Sequence, residues 1–241
     1  MKSPALLLSL ALCSWAALPP LAAAQSVCSS DKQLRAVQLT ERFINADCAS
    51  CWADPITPSP SPGTLVLDWV TPGAQGDDAP LSAVASVDGL NRLMGLGQSA
   101  PTAVSAYTTA ITPDAALTRS TLRVARGLAV SGYIGASISL KPAPTHGKPA
   151  AMTAWLALVE TLPAGLEDSP VARNLVRNVF QSTWNLPVKL LKTEQNQLFE
   201  QRSMSVSSGV NPERLQVIGW LTDERGRVLA AAQSVCNTAA P

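Results

Sequence analysis

Cys48-Ala49-Ser50-Cys51-Trp52-Ala53-Asp54-Pro55 sits between two apolar stretches, Leu34–Ile44 before it and Thr64–Val70 after it. Leu34–Ile44 alternates imperfectly and predicts a strand that leads into the paired cysteines. Pro55, Pro58, Pro60 and Pro62 follow within a dozen residues. Proline lacks an amide proton and disfavours helix in the residue before it, so about one helical turn fits after Cys51 before an extended loop. Thr64–Val70 (Thr-Leu-Val-Leu-Asp-Trp-Val) reads as a short buried strand. Residues 71–78 are turn-like. Leu81–Leu96 places apolar side chains at 81, 84, 87, 90, 93 and 94, the period of a helix. Thr102–Ile111 alternates after Pro101 and predicts a strand. Pro113-Asp114 then opens an expected helix to about Leu128. Strands alternating with helices make the first half an α/β unit.

The texture changes after Gly132. Tyr133–Leu140 alternates small polar residues with Ile134, Ala136, Ile138 and Leu140. Pro142–Pro149 is a turn cluster, and Met152–Leu162 is a second apolar run. Val171–Val179 suits either helix or strand. Leu198–Val206, Leu215–Thr222 and Arg227–Val235 predict strands. Asp223-Glu224-Arg225-Gly226 supplies the turn between the last two, which predicts a hairpin. The expected organisation is an α/β domain over 33–130 and a β-rich, sandwich-like domain over 131–236.

Met1-Lys2-Ser3-Pro4, the apolar run Ala5–Leu18 and the small residues Ala22-Ala23-Ala24 have the order of a secretory signal peptide. Cleavage after Ala24 is expected, with residues 1–24 removed and the rest in the periplasm or cell envelope, or secreted. Later apolar stretches are too short to cross a bilayer, which takes about 20 residues, so no transmembrane segment is expected after cleavage. The chain has 18 Lys and Arg against 17 Asp and Glu. Loss of Lys2 balances them. A neutral chain has no electrostatic footprint for nucleic acid or an anionic membrane, and no nucleic-acid partner is expected.

Cleavage would also discard Cys13 and leave Cys28, Cys48, Cys51 and Cys236. An even number in an exported chain points to two disulfides with three pairings open. Cys48 and Cys51 are near enough for a local bridge, and Cys28 with Cys236 would then join the two ends. Those two cysteines close matching tetrapeptides, Gln25-Ser26-Val27-Cys28 and Gln233-Ser234-Val235-Cys236. Zinc is the alternative, since one closely spaced pair and two distant cysteines could supply four thiolates, but the usual zinc ribbon has two such pairs and the chain has one. No metal and no cofactor are expected.

Two cysteines three apart put both sulfurs on one turn. That suits thiol–disulfide exchange: a thiolate attacks a disulfide sulfur and the second cysteine resolves the mixed disulfide. Asp47 beside the motif opposes thiolate formation. The competing reading is a closed structural bridge.

Val37-Gln38-Leu39 followed by Cys48-Ala49-Ser50-Cys51-Trp52-Ala53-Asp54 resembles a secreted bacterial thioredoxin-like family of unknown function. That family opens Val-Glu-Leu-Phe-Thr-Ser-Gln-Gly-Cys-Ser-Ser-Cys-Pro-Pro-Ala-Asp. The sequence is also similar to the Omp28-like outer-membrane proteins. Ala100-Pro101-Thr102-Ala103-Val104 resembles the segment where thioredoxin folds place a cis-proline beside the cysteines. Val176–Val179 and Trp220–Ala232 resemble the β-rich C-terminal part of both families. The resemblance implies a thioredoxin-like fold for 33–130. It also implies Cys48 as attacking thiol, Cys51 as resolving thiol and Pro101 as the backbone contact to substrate. The chain departs from the pattern in the prolines after Cys51, which shorten the helix, and in extra residues between Val37 and Cys48.

Other candidates carry less chemistry. His146 lies in a proline-flanked loop with no nucleophile or orienting partner marked. Asp77-Asp78 and Asp223-Glu224 suit turns. Asp68 inside an apolar strand needs a partner, or sits near the cysteines as a proton acceptor. Trp52 and Trp69 are expected to pack. Two functions follow. One is a thiol–disulfide oxidoreductase acting on cysteine-containing envelope proteins. The other is a non-catalytic envelope scaffold that binds a protein and has structural disulfides.

Overall fold

The computed structural model describes residues 28–57, 61–144, 151–185 and 196–236. The expected signal peptide, His146 and part of the Pro142–Pro149 cluster fall outside them. The strands are β1 (Cys28–Ser29), β2 (Gln38–Asn45), β3 (Thr64–Thr71), β4 (Val104–Ala110), β5 (Thr121–Val130) and β6 (Tyr133–Lys141). They continue with β7 (Ala151–Leu162), β8 (Arg173–Asn185), β9 (Leu198–Ser205), β10 (Leu215–Asp223), β11 (Val228–Gln233) and β12 (Val235–Cys236). The α-helices among the described residues are α1 (Ala49–Trp52) and α2 (Val87–Gly95).

The strands form a five-stranded sheet, β12-β1-β5-β6-β9, and a seven-stranded sheet, β11-β10-β7-β8-β3-β2-β4. The α/β thioredoxin-like architecture expected for 33–130 is therefore corrected to a mostly β protein. Both sheets draw strands from both halves of the sequence. The expected boundary at residue 130 falls on the β5–β6 hairpin. β2 and β3 pair in parallel, β4 pairs antiparallel with β2, and β3 meets β8 in parallel at Asp68↔Leu175.

The expected helix over 113–128 is the largest local departure. A single 3₁₀ turn at Ala115–Leu117 is followed by strand β5. Leu122 and Val124 alternate toward the core as well as they would on a helix. Ser131 and Gly132, both with positive φ, make the two-residue turn that returns the chain as β6. Pairing along the hairpin overrides a helix period carried by few residues. The ambiguous segment at 171–179 is likewise strand from Arg173 onward.

One core lies between the sheets. Val124, Ile134, Ile138 and Leu140 of the five-stranded sheet meet Leu156, Leu158, Val217 and Leu221 of the larger one. Gly219 faces this gap: a Cβ there would stand 2.5 Å from Val124 Cγ1 and 2.9 Å from Ile138 Cδ1. The missing side chain is what lets the sheets approach. The opposite face of the larger sheet carries Phe43, Trp69, Trp220 and α2. Ser86 caps α2 by accepting from the Asp88 amide at 3.1 Å. Arg92 ties the helix to β2 through a two-pronged pair with Glu41 (2.8 and 2.7 Å), beneath the stacked rings of Trp155 and Trp220. A third cluster of Ile44, Trp52, Val70, Leu162 and Leu175 lies under the paired cysteines.

Candidate functional site

Cys48 is the N-cap of α1, and the prolines limit that helix to its four residues, Ala49–Trp52. β2 delivers the motif to the end of the sheet. The Cys48 amide donates to Asn45 O at 3.0 Å, and the Ala46 amide donates to Thr71 O at 2.9 Å. Cys48 and Cys51 are joined, with their Cα atoms 5.3 Å apart. Both cysteines are half-buried, and Ala49 and Ser50 between them are exposed. The Cys51 amide donates to Cys48 Sγ at 3.3 Å.

Asp47 does not turn toward the sulfurs by hydrogen bonding. Its carboxylate accepts from the amides of Ala74 (2.7 Å) and Gln75 (3.2 Å) and fixes the loop after β3. Gly73 sits so close that a Cβ would overlap the Asp47 carboxylate.

Trp52 anchors the turn from below. Its Nε1 donates to Glu167 O at 2.6 Å. Arg173 stacks over the ring at 4.5 Å, and Arg173 Nη2 donates to Trp52 O at 2.7 Å. The same guanidinium donates through Nε to Ser169 Oγ (2.8 Å) and through Nη1 to Asp68 Oδ1 (3.2 Å). Burial pushes the Arg173 guanidinium down from its ordinary value, against the pull of Asp68. Asp68, fully buried, also receives Arg42 Nε (2.7 Å), Arg42 Nη2 (2.9 Å) and the Asn174 amide (2.9 Å). Its oxygens are thus engaged by cations and an amide, which replaces the proton-acceptor role considered from the sequence. Asp68 holds the scaffold under the cysteines. Arg42, Arg173 and Ser169 carry no sequence signal of their own; only the unpaired look of Asp68 within an apolar strand points to them.

Pro101 lies near the motif through Asn45, whose Nδ2 donates to Pro101 O at 2.9 Å. The cis peptide among the described residues is Lys141–Pro142. The Ala100–Pro101 peptide bond is trans, which departs from the cis-proline expected there.

Cys28 and Cys236 form the second disulfide. The matching tetrapeptides end side by side, because β1 and β12 pair antiparallel with Cys28 opposite Cys236. Arg126 Nη2 lies 3.1 Å from Cys236 Sγ. Trp52 and Trp69 are packed in the core as expected. Asp223 organises the β10–β11 turn, accepting from the Arg225 and Arg227 amides at 3.0 and 2.9 Å and from Arg227 Nε at 2.7 Å. No group of metal-ligating side chains occurs among the described residues. No helix among them is long and apolar enough to cross a membrane.

No family model matches the sequence, and no curated protein matches it. Among solved structures, HBP35 of Porphyromonas gingivalis superposes with a TM-score of 0.44 at 11% identity, covering 86% of this chain and 77% of that one. A likeness so loose carries no argument about fold or function.

Proposed function

We propose that Cys48 and Cys51 are an exchange-competent pair and that the protein is an exported thiol–disulfide oxidoreductase. The observation that carries this reading is the asymmetry of the two sulfurs. Cys48 Sγ accepts the Cys51 amide at the start of a turn whose next two residues are exposed. A donor aimed at sulfur favours the thiolate there, so Cys48 is the attacking and attacked atom. With the pair oxidised, a substrate thiolate attacks Cys48 Sγ, and the Cys48–Cys51 bond breaks with its electron pair on Cys51. A second substrate thiolate then attacks the substrate sulfur of the mixed disulfide and releases Cys48. Two electrons pass from the substrate dithiol to the protein. The reduced pair returns to disulfide by the same exchange with a disulfide-bearing molecule.

Two measurements on the isolated protein test this: the potential of the Cys48–Cys51 couple, and trapping of mixed disulfides by Cys51→Ser. A potential above about −300 mV with adducts on Cys48 is expected. A lower potential, no insulin reduction and no adducts would mark the bridge as structural and leave the scaffold reading.

A further inference from the structure

A cleft of about 380 Å³ opens beside α1. Its floor is apolar, made by Trp52, Leu81, Val84, Leu162 and Leu175. Its far wall is the 165–169 turn, where Glu167 and Asp168 are exposed. That wall is fixed to the motif: Trp52 Nε1 donates to Glu167 O, and Ser169 Oγ receives Arg173. Arg177, the cation lining the cleft, is occupied by Glu160 at 2.6 and 3.0 Å.

Seven of the twelve lining residues come from a stretch of chain without a cation. Between Arg42 and Arg92 there is no Lys, Arg or His, whereas Asp47, Asp54, Asp68, Asp77, Asp78 and Asp88 all fall there. Arg42 and Arg92 are themselves buried in ion pairs, with Asp68 and Glu41. The cations that do stand beside the cleft, Arg173 against Trp52 and Arg177 in the lining, are held by Asp68 and Glu160. The apolar floor and the unmatched acidic wall together specify what fits.

We infer that the cleft receives an extended polypeptide segment with an apolar side chain flanked by Lys or Arg. The apolar group enters between Trp52 and Leu81, and the cations face Glu167 and Asp168. The segment's cysteine reaches Cys48, and this last step alone rests on the exchange reading. Preference for cationic segments arises from charge and is weakened by salt.

The test uses the full mature chain and fluorescent decapeptides with a central Leu, flanked by two Lys or by two Glu, each with a Leu→Ser control. Binding is followed by anisotropy at low salt and in 0.5 M NaCl. About tenfold tighter binding of the Lys–Leu peptide is expected, the effect of two rim charge pairs. Salt and Glu167→Gln/Asp168→Asn should remove the preference, and Glu167→Lys/Asp168→Lys should reverse it, at unchanged melting temperature. Equal binding of both peptides, no binding, or a preference indifferent to these substitutions overturns the inference. Cysteine versions of the peptides and a small neutral dithiol are then offered to the Cys48–Cys51 couple. Exchange with the dithiol but equal rates for the two peptides sinks the docking and spares the exchange. Charge-selective binding without any exchange does the reverse.

Discussion

Arg173 donates through Nη2 to the carbonyl of Trp52 and through Nη1 to Asp68, so one buried guanidinium joins the cysteine turn to the strand beneath it. The turn has too few residues to hold itself. α1 has four residues, and isolated helices of that length do not persist. Its geometry is borrowed from β3 and β8, which bring Asp68 and Arg173 together although they are 105 positions apart.

Removing that link should loosen the turn more than its surface position suggests. Arg173→Met leaves Trp52 O unpaired and strips one cation from Asp68, which keeps Arg42 and the Asn174 amide. A loss of about 3 kcal/mol is expected, at the low end for breaking a buried ion pair because the carboxylate stays partnered. Arg42→Met removes the two-pronged partner and should cost more. Urea unfolding measures both. The rate at which dithiothreitol opens Cys48–Cys51 should change in Arg173→Met. An unchanged rate with lost stability would limit Arg173 to the core.

Gly219→Ala should destabilise by about 1–3 kcal/mol, because the added methyl overlaps Val124 and Ile138 across the sheet interface. The remedy is specific. Val124→Ala frees the volume the new methyl needs, so the double variant should lose less than the sum of the two single changes. Thermal unfolding of the set gives the coupling. Strict additivity would show that the sheets are not in contact at this point.

How much of this was legible depends on how local the cause is. The prolines after Cys51 announce a one-turn helix, and Asp223 to Gly226 announce the β10–β11 hairpin; both are decided within a few residues. The Ser131-Gly132 turn is equally local, but the helix-like spacing of Leu117, Leu122 and Val124 obscured it. The assignment of β1 and β5 to one sheet and β2–β4 to the other is set by pairing across the whole chain. No short window carries it. The same holds for the site. The spacing of Cys48 and Cys51 makes their bridge one of three open pairings, whereas the charges that support it come from Arg42 and Arg173, which nothing in their own neighbourhoods marks.

Acid should weaken the β10–β11 turn through Asp223. Burial pushes this carboxyl up, but the amides of Arg227 and Arg225 and the Arg227 guanidinium outweigh it, and the net direction is down. A carboxyl lowered in the folded state adds stability above its unfolded value, near 3.9, and loses it as pH falls through the folded value. Asp223→Asn should therefore be less stable than the parent at pH 7 and converge on it below about pH 4. A constant difference between pH 7 and pH 3 would rule out this linkage.

The two disulfides should differ in what their loss does. Cys28–Cys236 closes a span of 208 residues, and the chain-entropy model gives about 5 kcal/mol for a loop of that size. Cys48–Cys51 spans three, for which the same model gives about 2 kcal/mol. Cys28→Ala/Cys236→Ala should therefore be the costlier pair, with β1 and β12 released from the edge of the five-stranded sheet. Cys48→Ala/Cys51→Ala should keep most of the stability. Hydrogen exchange locates the difference: protection is expected to fall around 28–30 and 124–126 in the first variant, and around 46–53 and 165–173 in the second. If the second variant is the less stable, the local bridge is the structural one, and its use in exchange would undo the fold.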